Sequence, residues 1–389
     1  PLSNGVTISN SSGIVVAHMT ITNCTNGIWI NCSSNTIVSN TILSNRFNGV
    51  YIDGLAAQYN RVASNIIGGS NAYGLTVQGG AKWNTIASNS IADSAVTGIQ
   101  CSDSSNSTVA YNNIRSNNSG GIDITASSGN TIVSNMVCGT NAGIGIWIRN
   151  ASSGNTIVSN YVANHFQGID IMNATNNILF GNESCSNDQG GNGYGIYLEF
   201  GAVSNTVISN HVYGSNQYFG IDLNSGAFRN VVMSNIVENN KFYGIMIAQA
   251  SNNVIAENIV RTNGSAGIAF GSVNSVSNLV ASNSIVDNPQ YGMSFRFGSH
   301  DNTFCSNEVA RNTSAGIYFD DNTNNIISNN SIHDQNNGFL VFGKTTSNTV
   351  IANRIGPGLT TGVAVYAAFS YNRFIGNTVC NNGTGFGFG

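Results

Sequence analysis

The phrase Asn-Thr-Ile-Val-Ser-Asn stands intact at residues 35–40, 130–135 and 155–160, and degenerate copies of it run along the rest of the chain. Its closing Asn recurs about every 24 residues and marks sixteen copies, with His18 in that place in the first copy. A second phrase, Gly-apolar-x-apolar, follows nearly every copy and is clearest at residues 27–30, 121–124 and 168–171. A short period kept over the whole chain is typical of a repeat protein.

The spacing of apolar residues inside each repeat predicts strands. Apolar residues lie two apart, which is the strand period, and the Gly, Asn and Ser residues between them favour turns. No segment shows helical spacing over three turns. The framework of leucine-rich repeats is missing, and a propeller blade needs about 40 residues. The sequence therefore predicts an all-β solenoid in which each repeat of about 24 residues makes one coil of two or three short strands.

The recurring Asn residues are predicted to be structural. Equivalent residues of successive coils stack about 4.8 Å apart, and a side-chain amide can donate to one neighbour while accepting from the other. The opening Asn forms a second column, with Gly13 and Ser107 as exceptions. We predict a structural ladder of the closing residues Asn40, Asn65, Asn89, Asn112, Asn135, Asn160, Asn182, Asn210, Asn235, Asn258, Asn283, Asn307, Asn330, Asn353 and Asn377.

Composition argues against several classes of function. The 389 residues include 64 Asn, 45 Gly and 74 Ser plus Thr, but only 13 basic and 17 acidic residues. A net charge of −4 leaves no basic surplus to neutralise phosphates, so we expect no nucleic-acid partner. No run of 18 apolar residues is present, so we expect no transmembrane segment. A hydrophobic share of 41% argues against disorder.

Metal-ligating residues are few and scattered. The chain has seven Cys, six Met and five His, without clustering and without a C-x-x-C pair. An odd number leaves at least one Cys unpaired if all pairing is internal, and most are predicted to be small buried residues. The residues themselves predict no metal site and no cofactor.

The order of the two phrases, Asn-Thr-Ile-x-x-Asn and then Gly-Ile-x-Ile, resembles the right-handed parallel β-helix repeats of the NosD-type and pectate-lyase-like superfamily. The resemblance covers the whole chain and implies a right-handed parallel β-helix of about sixteen coils. Members include polysaccharide lyases, glycoside hydrolases, mannuronan epimerases, viral tailspikes and many secreted surface proteins without known activity. It therefore implies a secreted or cell-surface location and leaves the function open. Only the name NosD suggests copper.

The ends of the solenoid show no predicted cap. No amphipathic helix precedes the first repeat, and residue 389 follows directly on a Gly-apolar-x-apolar strand. An open end exposes an apolar core and unpaired strand edges. We expect residues 1–389 to form a single β-helix domain that is part of a longer chain, or a protomer that stacks end to end on other copies.

Chemistry is predicted on the outward residues of the Gly-apolar-x-apolar strands, because alternate side chains of a strand point away from the core. The column of third residues and the next outward column together hold Asp123, Trp147, Arg149, Asp170, Tyr197, Glu199 and Asp222. An irregular loop at residues 183–194 lies beside them, and inserted loops on one face of a repeat array often mark binding.

These residue types suit a carbohydrate, because aromatic rings stack on sugars and carboxylates bond to hydroxyls. We predict glycan binding by Trp147, Tyr197, Asp123 and Arg149. Paired carboxylates about 5–9.5 Å apart hydrolyse glycosides, so Asp170, Glu199 and Asp222 are the candidate catalytic residues. Ca²⁺ on the acids could neutralise an acidic sugar. The plainer interpretation is that outward Asp residues keep a solvated face soluble and block lateral strand pairing.

The leading hypothesis is a secreted or cell-surface scaffold with a structural, adhesive or filament-forming role, which binds glycans through the outward Asp and aromatic residues. The alternative is a polysaccharide lyase, glycoside hydrolase or uronan epimerase that uses the carboxylates. The expected partners are a polysaccharide or other copies of the chain. The sequence leaves open whether the protein is an enzyme.

Overall fold

The computed structural model describes residues 3–139, 143–188, 191–214, 217–366, 369–380 and 382–388. The chain divides into two compact units, Pro1–Gly193 and Tyr194–Gly389. Both units consist of short parallel strands joined by turns, and no helix occurs in the described part of the chain. The prediction of one domain over residues 1–389 stays a prediction.

The first unit repeats a triplet of strands eight times among its described residues. Its strands are β1 Val6–Ile8, β2 Val15–Ala17, β3 Thr20–Thr22, β4 Ile28–Ile30, β5 Thr36–Val38, β6 Thr41–Leu43, β7 Val50–Asp53, β8 Arg61–Ala63, β9 Ile66–Gly68, β10 Leu75–Gln78, β11 Thr85–Ala87, β12 Ser90–Ala92, β13 Thr97–Ser102, β14 Thr108–Ala110, β15 Asn113–Arg115, β16 Gly120–Thr125, β17 Thr131–Val133, β18 Met136–Cys138, β19 Ile144–Arg149, β20 Thr156–Val158, β21 Tyr161–Ala163, β22 Gln167–Met172, β23 Ile178–Phe180 and β24 Glu183–Cys185.

The second unit shows the same pattern among its described residues, with eight triplets, one further pair (β44 and β48) and a last strand, β51. Its strands are β25 Tyr194–Glu199, β26 Thr206–Ile208, β27 His211–Tyr213, β28 Phe219–Leu223, β29 Val231–Met233, β30 Ile236–Glu238, β31 Tyr243–Ile247, β32 Val254–Ala256, β33 Ile259–Arg261, β34 Ala266–Phe270, β35 Leu279–Ala281, β36 Ser284–Val286, β37 Tyr291–Phe295, β38 Thr303–Cys305, β39 Glu308–Ala310, β40 Ala315–Asp320, β41 Ile326–Ser328, β42 Ser331–His333, β43 Asn337–Phe342, β44 Thr345–Thr346, β45 Thr349–Ile351, β46 Arg354–Ile355, β47 Thr361–Val365, β48 Phe369–Ser370, β49 Arg373–Ile375, β50 Thr378–Val379 and β51 Thr384–Phe388.

Equivalent strands of successive coils pair in parallel and form three sheets in each unit. The Gly-apolar-x-apolar phrase forms the first sheet, the Thr-Ile-Val part of the anchor phrase forms the second, and the residues after the closing Asn form the third. Within the first unit, for example, Ile99 of β13 is opposite Ile122 of β16. The predicted all-β parallel solenoid of about sixteen coils, with about 24 residues each, is confirmed.

The core of each unit is a set of stacked apolar columns. In the first unit Ile122, Ile124 and Ile132 are at most 1% exposed, because alternate residues of all three sheets point inward. In the second unit, aromatic rings also contribute to the core. The Phe295 ring lies 5.2 Å from Phe319 and 4.2 Å from Phe304, measured between centroids. Such columns bury the apolar face that a single coil could not cover.

The anchor Asn residues form hydrogen-bonded ladders inside each unit. Asn258 Nδ2 donates to Asn283 Oδ1 at 2.9 Å, and the same oxygen accepts the Asn258 backbone N–H. The opening Asn residues repeat this arrangement, as at Asn253 and Asn278. Each amide also donates to a backbone carbonyl of the preceding coil, as Asn258 does to Val232. The ladders thus satisfy buried backbone groups at bends where strands cannot pair.

A third amide ladder, which the sequence did not predict, follows the third sheet. In the second unit Asn240, Asn263 and Asn288 are linked by Nδ2-to-Oδ1 bonds of 2.8 and 3.2 Å. The column is interrupted by other residue types, such as Gln335, which accepts from Asn312. His165 occupies the equivalent place in the first unit, where its backbone N–H donates to Asn187 Oδ1.

Candidate functional site

The predicted site residues fall into two groups that belong to different units. Asp123, Trp147, Arg149 and Asp170 lie on the first sheet of the first unit, whereas Tyr197, Glu199 and Asp222 lie on the first sheet of the second. Each group is considered within its own unit.

In the first unit, Arg149 is clamped between a carboxylate and an indole ring. Its Nε and Nη2 donate to the two carboxylate oxygens of Asp123 at 3.1 and 2.9 Å, and Nε also reaches Thr125 Oγ1 at 2.8 Å. Its Cζ lies 3.8 Å from the centroid of Trp147. Bidentate pairing and ring stacking fix a guanidinium firmly. The half-buried indole is therefore a rigid platform on this face.

Asp170 is opposite Trp147 on the neighbouring strand of the same sheet. It is 1% exposed, although strand alternation directs it away from the core. His165, another titratable group of this unit, is 3% exposed, and burial lowers the pKa of its ring to about 4. A neutral imidazole that is buried in a ladder position stabilises the turn and is not accessible for a reaction at the surface.

In the second unit, Tyr197, Glu199 and Asp222 lie together. Tyr197 is opposite Asp222 on β28, and its hydroxyl is hydrogen-bonded to Glu199. The Tyr194 ring stacks on Tyr197 at 4.3 Å between centroids, with 11° between the planes. Asn224 Nδ2 donates to Asp222 Oδ2 at 3.5 Å, while Asp222 Oδ1 has no hydrogen-bond partner in the described part of the chain.

Burial perturbs the titration of this cluster. Asp222 is 0% exposed, and loss of hydration, reinforced by the charge of Glu199, raises the pKa of its carboxyl to about 8. Burial also raises the pKa of Glu199, and it raises that of Tyr194 to about 12. Asp222 is therefore largely protonated at neutral pH and can donate a hydrogen bond.

The three outward Asp residues are not solvated. Asp123, Asp170 and Asp222 are at most 5% exposed, because longer side chains of neighbouring strands, such as Arg149 and Tyr197, lie over them. The interpretation that these carboxylates keep the face soluble is wrong.

In the second unit, aromatic residues precede the Gly of three successive phrases, a feature that was not predicted to matter. In the second unit Tyr194, Phe219 and Tyr243 occupy one column, and Phe219 stacks on Tyr243 at 5.4 Å. Tyr218 stacks on Phe242 at 5.2 Å beside them. The signal was readable as an aromatic-Gly pair in successive repeats. We call these five rings the aromatic column.

Arg296 directly follows β37 of the same sheet and lies beside a stacked pair of Tyr rings, Tyr291 and Tyr318, whose centroids are 4.5 Å apart. Its Cζ is 4.8 Å from the centroid of Tyr318 and 5.6 Å from that of Tyr291. No carboxylate lies within ion-pair distance of it among the described residues, and its buried Nε has no hydrogen-bond partner there. Arg296 is thus a partly covered cation without an ion pair, unlike Arg149, and the nearby Asp320 carboxylate accepts a hydrogen bond from the Tyr318 hydroxyl instead.

We expect Asp222→Asn to raise the stability of the folded chain at alkaline pH. The pKa of Asp222 is higher in the folded chain than the value of about 3.9 for an unfolded chain. The folded state therefore binds more protons, and stability falls as pH rises from about 4 to about 8. The amide variant should lack this loss and exceed the parent by a few kcal/mol at pH 9, because each pKa unit corresponds to about 1.4 kcal/mol.

Urea unfolding between pH 4 and pH 9 measures this difference. Asp287→Asn is the matched control, because Asp287 is exposed and paired with Arg311. Two results would contradict a neutral, buried Asp222 carboxyl. One is a free energy of unfolding of the parent that does not change between pH 4 and pH 9. The other is an Asp222→Asn variant that is less stable than the parent at pH 9.

Two family models match the chain. One, described as periplasmic copper-binding protein (NosD), matches residues 1–168 and 162–315. The chain belongs to the NosD family. A second model, described as right handed beta helix region, matches residues 274–389 of this NosD-family chain. The predicted family and the right-handed parallel β-helix are thereby confirmed.

The family description names copper, and the donor set of this NosD-family chain does not fit it. The described residues contain no group of three or more His, Cys, Asp and Glu side chains that could hold a metal ion. All seven Cys residues are free, and they lie apart along the solenoid. The functions proposed for this chain do not involve copper. The prediction of Ca²⁺ binding stays a prediction. In the part of the chain that the structure describes, no helix is long and apolar enough to span a membrane.

Several solved structures are similar to this NosD-family chain. A mutant of the periplasmic alginate epimerase AlgG has a TM-score of 0.54 and 13% identity, covering 83% of this chain and 76% of AlgG. A double mutant of AlgG gives 0.52 and 13%, over 81% and 77%. The A-module of Azotobacter vinelandii mannuronan C-5 epimerase AlgE6 has 11% identity over 94% of this chain and 90% of the module, with a TM-score of 0.38. At 13% identity the two AlgG matches show the fold alone. Comparison with curated proteins gave no significant match.

Proposed function

We propose that the chain is a scaffold located outside the cytoplasm, either periplasmic, secreted or at the cell surface, which binds an acidic polysaccharide. Arg296 is the observation that carries this proposal. A guanidinium beside a stacked pair of Tyr rings, without an ion-paired carboxylate, suits the carboxylate of a sugar acid, because the pair is charge-assisted and the partly exposed Tyr291 ring can pack on the sugar. The similar AlgG structures are of an epimerase of alginate, which is such a polysaccharide.

Other residues extend the proposed binding face in each unit. In the second unit the aromatic column offers half-buried rings on the strands that precede Arg296. In the first unit Trp147 offers a ring that Arg149 and Asp123 hold in place. Stacked rings lose little conformational entropy on binding because they are already fixed by their neighbours. Binding at the face of either unit would let the scaffold adhere to a glycan without catalysing a reaction.

Replacing Arg296 is expected to weaken binding to alginate. Arg296→Gln should elute from an alginate column at lower salt and bind about tenfold more weakly, as expected for loss of one charge-assisted pair. Arg229→Gln is the matched control, since Arg229 also covers an aromatic ring, Phe228 at 4.6 Å, but lies on an exposed turn. Circular dichroism checks that both variants are folded. Equal retention of the parent and Arg296→Gln, or an equal loss in both variants, would refute the proposed contact.

A polysaccharide-active enzyme is the second candidate, favoured by the raised pKa values of Glu199 and Asp222 in one cluster. Perturbed carboxyls of this kind are frequent at active sites. Against it, Asp222 is fully buried, so a substrate would have to displace Tyr194 or Tyr197 to touch it. Alginate incubated with the parent distinguishes the two candidates. Cleavage or epimerisation that disappears in Asp222→Asn would establish the enzyme and the role of Asp222, with the other candidate catalytic residues tested separately by Glu199→Gln and Asp170→Asn.

A further inference from the structure

A cavity of about 340 Å³ lies on the outer face of the first sheet in the first unit, away from the residues discussed above. Its floor is made by β7 and β10, and the turns that precede these strands form its walls. Tyr51, Thr76 and Gln78 line it from the strands, while Phe47, Asn48 and Tyr73 line it from the turns. Its size is in the range of small-molecule sites, about 300–1,000 Å³.

The polar side of the cavity is a hydrogen-bonded network of amides and hydroxyls that ends on the Asp53 carboxylate, to which Gln78 Nε2 donates at 3.4 Å. Thr76 Oγ1 donates to Asn48 Oδ1 at 3.3 Å, and Asn48 Nδ2 donates to Asn26 Oδ1 at 3.0 Å. Gln78 Nε2 donates to the Tyr51 hydroxyl at 2.6 Å. Gln78 Oε1 receives no hydrogen bond from the residues that the structure describes. An acceptor fixed at the wall of a cavity is suited to a ligand hydroxyl.

The apolar side consists of aromatic rings at different depths. Tyr51 and Tyr73 are half-buried, and Phe47 is 48% exposed. The Tyr51 hydroxyl is fixed by two hydrogen bonds, one with Asp53 and one with Gln78. Rings that are already fixed bind a flat apolar surface at low entropic cost. No charged side chain lines the cavity.

We propose that this cavity binds a neutral oligosaccharide. A sugar without carboxylate or sulfate groups has an apolar ring face for Tyr51, Tyr73 and Phe47. It also has hydroxyls that can both donate and accept, which matches the amides of Asn48 and Gln78. The charged groups next to the lining are of opposite sign, since Arg46 Cζ lies 5.6 Å from the Phe47 ring centroid and Asp53 is bonded to Gln78, so the site offers a sugar acid no net attraction. The site is therefore separate from the acidic-polysaccharide face around Arg296, and this proposal does not depend on binding at that face.

Titration calorimetry of the full chain tests the proposal with cellotetraose, maltotetraose and mannotetraose as neutral probes and tetramannuronate as the acidic one. At least one neutral probe should bind, and Phe47→Ala and Tyr73→Ala should each weaken that binding by about tenfold. Tyr111→Ala is the matched control, since Tyr111 belongs to the same unit and is 65% exposed on a turn. Phe47→Ala changes an exposed ring and should leave the melting temperature unchanged.

The proposal is overturned if no neutral probe binds at millimolar concentration, or if tetramannuronate binds at Phe47 and Tyr73 more tightly than the neutral probes. It is also overturned if Phe47→Ala and Tyr73→Ala bind the neutral probe as the parent does. An unchanged response in Arg296→Gln supports a separate site, whereas a parallel loss of neutral-probe binding in Arg296→Gln would contradict it.

Discussion

Asn258→Ala is expected to lower the stability of the chain by about 3–6 kcal/mol, because one substitution removes several buried hydrogen bonds. Asn258 donates to Asn283 Oδ1 and to the Val232 carbonyl, and its own Oδ1 accepts the backbone N–H and the side-chain Nδ2 of Asn235, both at 2.9 Å. Ala leaves these groups buried without partners. The melting temperature should fall by roughly 10 °C, given about 2–4 °C per kcal/mol for a unit of this size.

Thermal and urea unfolding followed by circular dichroism measure this loss. Asn274→Ala is the control, because Asn274 lies in the same unit but is exposed on a turn, and it should stay within about 0.5 kcal/mol of the parent. A loss at Asn258 no larger than that at Asn274 would show that the ladder contributes little.

Gly244→Ala is expected to destabilise the chain by about 3 kcal/mol, because the coil has no room for a methyl group there. A Cβ at Gly244 would lie 2.5 Å from Val260 Cγ1 and 2.7 Å from the backbone oxygen of Gly267. The oxygen belongs to the next coil and cannot move without breaking the first sheet. The same close approach recurs at the Gly of successive phrases, which explains why the phrase begins with Gly.

The matched control is Gly385→Ala. Gly385 occupies the same place in its phrase, but a Cβ there would meet no atom within 4 Å. We expect a melting temperature within a few degrees of the parent for Gly385→Ala and a fall of roughly 6–12 °C for Gly244→Ala. Similar falls at both positions would show that backbone freedom, rather than contact with the next coil, decides the need for Gly.

The repeat phrases predicted the fold because their residue types meet the physical requirements of the positions that they occupy. An amide at the bend and a Gly at the close approach are each the residue that the position requires, so they recur. The third ladder escaped prediction because Asn, Gln and His all fill its positions, as at Asn240, Gln335 and His165, and no single letter marks the column. Most repeats have a side chain that can form hydrogen bonds at that position, but the residue type varies.

The candidate site was predicted less completely, since its properties depend on how side chains lean across neighbouring strands. Alternation correctly placed Asp123 and Asp222 on the outer face, but it could not show that Arg149 and Tyr197 cover them. Nor could it distinguish Arg149, which has a carboxylate partner, from Arg296, which lacks one. The cavity beside Tyr51 depends on two turns that bend over one face, and spacing alone does not reveal this.

The amide ladders also bear on how the chain ages chemically. Deamidation begins when the backbone nitrogen of the following residue attacks the side-chain carbonyl carbon of Asn, which requires the side chain to fold back on its own backbone. In a ladder that carbonyl instead accepts two hydrogen bonds from the neighbouring coil, as at Asn283. An Asn-rich chain is therefore protected while its coils stay closed. The coil that opens most often would be the first to acquire an aspartate, so the pattern of deamidation would record local opening over the lifetime of the protein.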